Sequence, residues 1–225
     1  MDNRKICFIA CVNNELMFEE CKLYIERLYV PEGYEIDVLE VCDADSMTSG
    51  YNEAMHASDA KYKIYLHQDV FVVDRYFLYE MLEIFEYDNK IKMIGAVGTY
   101  EMPEDGIMWN SQRVFSIYGK NLSDIKDCDK RFSITGDNIQ YVEAIDGLLM
   151  VTACDIDWRE DIFKNFDFYD ASQSMEFLKK GYRISVPTLG KPICVHDDGY
   201  ILNLTNYEEN RKIFLEEYGN FLKRH

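Results

Sequence analysis

The chain has 225 residues, 48% of them hydrophobic and 14% aromatic, enough for one substantial core and too apolar for a disordered protein. Asp and Glu number 41 against 24 Lys and Arg, a net charge of −17. Such a surface repels phosphate backbones and anionic lipid. It excludes nucleic-acid or membrane binding by general electrostatics, yet leaves room for one small anionic ligand whose charge a metal ion offsets.

Lys5 to Cys11 is a continuous apolar run, predicted as a strand covered on both faces. The basic Arg4-Lys5 before it imitates a signal peptide, but Asn13-Asn14-Glu15 follows at once with no cleavage site, so the strand is preferred. Met17, Cys21, Tyr24 and Leu28 then recur at helical spacing, up to Pro31. Tyr34 to Cys42 is a second strand, running into Asp43-Ala44-Asp45-Ser46. A helix over Ser49 to Ser58 and a strand over Lys61 to His67 follow. This alternation predicts right-handed βαβ units and a mostly parallel sheet, whose ligands bind beyond the carboxyl ends of the strands. The polar breaks Asn13-Asn14, Asp43 to Ser46 and His67-Gln68-Asp69 all fall at those ends.

Val70 to Val73 resumes the strand, and Asp74 is placed to cap a helix carrying Phe77, Leu78, Met81, Leu82 and Phe85 on one face. Ile91 to Gly98 is a fourth strand. Thr99 to Gly136 is loop-rich, with a strand over Arg113 to Tyr118 and a charge run from Asp124 to Arg131; it is either a lid or decoration. Gln140 to Ile145 and Leu148 to Ala153 flank Asp146-Gly147, a hairpin turn or a ligand-binding bend. The aromatic, acidic Phe163 to Tyr169 precedes a short helix that Gly181 ends. Tyr182 to Val186 and Pro192 to Val195 are the last strands, the latter leading into His196-Asp197-Asp198-Gly199. Asn206 with Glu209 has the form of a capping box, opening a helix with Tyr207, Phe214, Tyr218 and Phe221 on one face.

Cys7, Cys11, Cys21, Cys42, Cys128, Cys154 and Cys194 are odd in number and contain no C-x-x-C pair, which points to a reduced, cytoplasmic compartment. No stretch is long enough to span a bilayer, and no repeat or linker divides the chain.

In order and spacing these elements resemble a GT-A-fold glycosyltransferase of the family-2-like branch, from about Lys5 to Gly199. The resemblance implies an α/β fold with a mostly parallel central sheet and flanking helices in a single domain. Residues 1–98 would be its nucleotide-binding half, 99–200 its acceptor and catalytic half, and 201–225 a C-terminal helix. It implies that Cys11, Val12 and Asn13 end the first strand beside the nucleotide. Asp43, Ala44 and Asp45 would hold the base, and Asn52 would be the helix asparagine of the family. The D-x-D motif is replaced by His67-Gln68-Asp69, so Asp69 alone carries over as a metal ligand, with His67 and Gln68 beside the nucleotide-sugar. Asp146-Gly147 matches the bend between donor and acceptor. Asp170 matches the base that deprotonates the acceptor hydroxyl, with Asp167 as its neighbour, and His196 matches a second metal ligand.

The implied cofactor is Mn2+ or Mg2+, one imidazole shifting preference toward Mn2+. The implied reaction is an inverting single displacement from a UDP-sugar to a glycan, lipid-linked or protein acceptor, in surface polysaccharide synthesis. Singly, each residue has a plainer reading: Asp170 as a helix cap, His196 to Asp198 as a solvated turn, Asp43 and Asp45 as an Asx turn, Asn52 as a surface helical residue. Their joint fall at the strand ends points to one crevice. Two rivals stand beside the transferase. The H-x-D…H pattern of His67, Asp69 and His196 is that of an Fe(II)/2-oxoglutarate oxygenase, a chemistry associated with an all-β jelly roll. The missing first carboxylate of D-x-D suits a module that binds a sugar nucleotide or a partner without catalysis.

Overall fold

Strict alternation of apolar side chains in the first strand divides the molecule into two layers of core. The computed structural model describes residues 1–117, 128–197 and 204–223; Tyr118, Asp124 to Asp127 and Asp198-Gly199 lie outside the described residues. Strand β1 (Asp2–Val12) sends Ile6, Phe8 and Ala10 to one face of the sheet and Cys7 and Ile9 to the other, all fully buried. Helices α1 (Glu15–Glu26) and α3 (Phe77–Tyr87) cover the first face; α2 (Met47–Ala57) and α4 (Tyr169–Lys179) cover the second. A third cluster packs α5 (Tyr207–Leu222) through Phe214 and Tyr218 onto Phe168, Ala171 and Met175. Among the described residues no helix is long and apolar enough to cross a membrane.

The central sheet joins β1 to β2 (Glu35–Cys42), β3 (Ala60–Leu66), β5 (Ile91–Gly95), β8 (Ile139–Val142), β10 (Leu149–Thr152) and β11 (Arg183–Pro187), in the order β2-β1-β3-β10-β5-β11-β8. Only β10 and β8 run against the others, so the sheet is mostly parallel. This is the mostly parallel sheet with flanking helices expected from the sequence. The first three strands end within two residues of the expected positions, because Asn14 and Ser46 cap the helices that follow β1 and β2. Asn14 accepts the Met17 N–H at 3.2 Å, and Ser46 accepts the Ser49 N–H at 3.1 Å.

Four local expectations give way to tertiary contacts. Ile91 to Gly98 is two strands, β5 and β6 (Val97–Thr99), with β6 leaving the main sheet to pair with β7 (Arg113–Phe115) and β9 (Ala144–Ile145). Asp146-Gly147 is therefore no hairpin turn: it carries the chain from β9 in the small sheet to β10 in the large one. Asp74 does not cap α3, which starts at Phe77 behind Tyr76 with no side-chain cap. Asn206 likewise forms no capping bond for α5; its amide lies 3.4 Å from Asn165 Oδ1.

Asp74 has another partner. After β3 the chain resumes as β4 (Val70–Val72), which leaves the main sheet and pairs antiparallel with β12 (Cys194–His196). At one end of this ribbon Asp197 N–H donates to Asp69 O at 3.0 Å, and at the other Val73 and Asp74 N–H both reach Ile193 O. Below that far end the Lys191 ammonium is buried, 2.7 Å from Asp74 Oδ1, 2.8 Å from Glu80 Oε1 and 2.7 Å from the Lys130 carbonyl. Burial pushes Asp74 up to about 7, and Glu80 beside it pushes the same way, while Lys191 opposes both.

Removing the ammonium would strand two carboxylates in the core. Lys191→Met is expected to destabilise the fold by about 3–5 kcal/mol, read as a lower urea midpoint at unchanged slope. A loss under about 1 kcal/mol would show that the cluster is solvated rather than buried.

Candidate functional site

The ends of β1, β2 and β3 converge at one rim of the sheet, and Gln68 ties two of them together. Its Oε1 accepts the N–H groups of Asn13 at 3.0 Å and Asn14 at 2.9 Å, and its Nε2 donates to Asn13 Oδ1 at 2.6 Å. Beyond this rim lies a cavity of about 420 Å³. Cys11, Val12, Asn13, Asp43, Ala44, His67, Gln68 and Asp69 line it, together with Val41, Met47, Phe166 and Tyr169. Asp45 is exposed and does not line it. Nor does Asn52, which is buried with both ends of its amide engaged: Nδ2 donates to Trp158 O at 3.0 Å and Oδ1 accepts Trp158 N–H at 2.8 Å. Asn52 is thus a clamp between α2 and the loop after β10, neither the ligand contact nor the surface residue expected of it.

Asp43 holds φ of 56° and Phe168 holds 61°, the two left-handed non-glycine residues among those described. For an Asp this is tolerable; for a Phe it is a strained conformation held by its surroundings. Asp43 borders the first cavity, and Phe168 borders a second.

His67, Asp69 and His196 come together although β12 lies far along the chain. One ligand atom from each lies within 4.8 Å of the other two. His196 Nε2 stands 3.4 Å from Asp69 Oδ1, an oxygen that is buried and has no hydrogen-bond partner among the described residues. A buried carboxylate oxygen lacking a donor, facing two imidazoles, is a donor set that a divalent cation fits. Burial alone would raise the Asp69 carboxyl, but His196 and the second imidazole outweigh it and hold it below its ordinary value. Burial lowers His67, keeping its ring neutral as a ligand must be, against the opposing pull of Asp146. The transferase resemblance places His67 beside the nucleotide, and only the oxygenase reading uses it as a ligand, through the H-x-D pattern. In the structure residues 67–69 form a turn, closed by Val70 N–H on His67 O at 3.1 Å, that brings His67 and Asp69 to one cluster. The oxygenase reading loses its footing, since the seven-stranded, mostly parallel sheet is no jelly roll.

The second cavity, of about 490 Å³, shares His67, Phe166 and Tyr169 with the first and adds Asp146, Asp167 and Asp170. The shared wall is a hydrogen bond of 2.6 Å between Tyr169 Oη and His67 Nε2. Tyr169 packs so closely over Gly147 that a Cβ there would collide with its hydroxyl, which is why the bend carries glycine. Asp170 sits in the first turn of α4 but is not its cap. Its Oδ2 accepts the Gly147 N–H at 2.9 Å and its Oδ1 the Ala171 N–H at 2.7 Å. Burial, reinforced by the charge of Asp146, pushes Asp170 up to about 7, with those N–H groups pulling the other way. Burial raises Asp167 too, while Asn210 opposes it. Phe166, Tyr169 and Trp109 were not singled out from sequence as lining residues, although the aromatic Phe163 to Tyr169 stretch marked two of them.

Comparison with known proteins gives two results. Residues 7–218 match the family described as "Glycosyltransferase like family". Among solved structures, a mannosyltransferase from Pyrobaculum calidifontis in complex with GDP-Man and Mn2+ superposes with a TM-score of 0.59 at 12% identity, over 98% of this chain and 64% of that one. S. aureus TarS 1-349 in complex with UDP-GlcNAc gives a TM-score of 0.49 at 11% identity, over 96% of this chain and 66% of that one. The chain thus spans less than two thirds of the length of either. No curated protein matches it.

Calorimetric titration with Mn2+ should find one site on the protein. Asp69→Asn or His196→Gln should weaken it by about tenfold or more. His67→Asp, which replaces an imidazole with a hard oxygen, should shift preference from Mn2+ toward Mg2+. Unaltered affinity in all three variants would place the ion elsewhere.

Proposed function

The chain belongs to the glycosyltransferase-like family matched over residues 7–218, and on that premise we propose that it moves a sugar from a nucleotide-diphosphate donor to an acceptor hydroxyl. The observation that carries this reading is the pair of cavities separated by His67 and Tyr169. One is lined by two of the three candidate cation ligands, His67 and Asp69, and the other by a carboxylate raised to about 7.

In this reading the nucleotide lies in the first cavity, along the ends of β1 and β2 at Cys11 to Asn13 and Asp43-Ala44, with its diphosphate toward His67, Asp69 and His196. Those three residues would hold Mn2+ or Mg2+, which when bound supplies charge neutralisation for the leaving diphosphate. The complex of the Pyrobaculum calidifontis enzyme with GDP-Man and Mn2+ supports both the donor class and the ion. A UDP-sugar remains the donor we propose first.

Asp170 is the base. Its carboxylate, aimed by the Gly147 and Ala171 N–H groups, takes the proton of the acceptor hydroxyl while that oxygen bonds to the anomeric carbon. The bond from that carbon to the diphosphate breaks in the same step, inverting the anomeric configuration. Asp167 lines the same cavity and is the base if Asp170 is not. The non-catalytic reading rested on the missing first carboxylate of D-x-D, and His67 offers a ligand from that position.

A screen of UDP-, GDP- and TDP-sugars with and without Mn2+ should show metal-dependent stabilisation by one nucleotide class and release of its diphosphate. With that donor, Asp170→Asn should lower kcat by about 10²–10⁴-fold with little change in the KM for donor. The base works deprotonated, so kcat should rise with pH through about 7 and then level. Loss in Asp167→Asn but not Asp170→Asn would reassign the base, and retention of configuration by NMR would remove single displacement.

A further inference from the structure

The second cavity differs from the first in what it offers a charged ligand. Asp146, Asp167 and Asp170 face it, with no Lys or Arg among its described lining residues and His67 as its one imidazole. Two members of the candidate cation cluster, His67 and Asp69, line the first cavity, and only His67 lines the second. Two cations lie at its edge: Arg113 stands on aromatic rings, its guanidinium 5.2 Å from the Trp109 centroid and 5.4 Å from that of Phe115, and Arg211 is paired with Glu208 and bonded to the Asp105 carbonyl. Carboxyl groups offer mainly acceptor oxygens, so these walls favour a ligand rich in O–H groups.

The rest of the cavity is apolar, with the rings of Trp109, Phe166, Phe168, Tyr169 and Tyr207 beside Met102, Met108 and Leu204. Trp109 is 42% exposed and Phe166 58% exposed, an unusual state for large rings flanking a cleft. Ring faces carry a negative quadrupole and attract the weakly positive C–H edges of a ligand. Hydroxyl donors at one edge and C–H bonds over a face are the two halves of a pyranose.

We propose, resting on the transferase reading above, that the second cavity accepts an uncharged sugar ring stacked on Trp109, and rejects acceptors that carry a carboxylate or phosphate beside the attacking hydroxyl. The acceptor is then a neutral saccharide terminus. An anionic one would bring a negative charge to a wall whose charged side chains are three carboxyl groups, Asp146, Asp167 and Asp170, with no Lys or Arg among the described lining residues to offset it.

The test uses the full chain saturated with Mn2+ and UDP (or GDP), with saturation-transfer NMR and titration of matched ligands. These are the methyl glycosides of glucose, galactose and mannose against methyl glucuronide, methyl galacturonide and methyl mannoside 6-phosphate. The neutral member of at least one pair should bind tenfold or more tightly than its anionic partner. Trp109→Ala should cost that neutral ligand tenfold or more while nucleotide binding is kept, and Asp167→Asn should narrow the gap between the pair. Equal or tighter binding of the anions, no binding by any member, or indifference to Trp109→Ala overturns the proposal. Nucleotide titration separates the failures: if nucleotide with Mn2+ binds and the glycosides do not, the acceptor inference alone falls. If neither binds, the transferase reading falls with it.

Discussion

A short antiparallel ribbon outside the main sheet is the constraint on which the site depends. Asp69 lies in the turn between β3 and β4 and His196 ends β12; the pairing of β4 with β12 makes the residues neighbours. The ribbon is fastened at both ends, by Asp197 N–H on Asp69 O near the site and by Ile193 O accepting two N–H groups at the far end. Under the far end lies the buried Lys191 ammonium with Asp74 and Glu80. Taking three charges out of water is costly, and well-packed apolar side chains would often serve stability as well. What the cluster adds is register, since a slip of one residue along β12 would turn His196 to the opposite face.

Electrostatics then divides the labour between the cavities. On a chain of net charge −17, the His67, Asp69 and His196 cluster is a place prepared for positive charge. Asp146 acts on both sides of the dividing wall, favouring the protonated form of His67 and of Asp170 alike. Tyr169 links the two mechanically, bonded to His67 and seated on Gly147, while Gly147 in turn donates to Asp170. A change at the bend is therefore felt by the metal cluster and the carboxylate together.

The layered sheet was legible because it is written in local periods. The continuous apolar run of β1 and the polar breaks after β1 and β2 need no knowledge of the rest of the chain; Asn14 and Ser46 within those breaks turn out to be helix caps. The polar breaks at the strand ends were legible for the same reason. What failed were residues whose role depends on a distant partner. Asp74 has the form of a helix cap but serves Lys191, and Asn52 has the place of a ligand but serves the backbone of Trp158. Asp146-Gly147 has the composition of a hairpin turn, yet its flanking strands belong to different sheets. His67 was visible as part of an H-x-D pattern, but its share in the cation cluster emerges only with β12 in place.

The most direct test is pulsed EPR on the protein loaded with Mn2+ and a nucleotide diphosphate. Nitrogen coupling from imidazole that is lost in a His67→Gln/His196→Gln double variant, together with phosphorus coupling from the diphosphate, would put the cation and donor where the ribbon places them. A bound Mn2+ that shows phosphorus coupling but no protein nitrogen in the unmodified chain would contradict it.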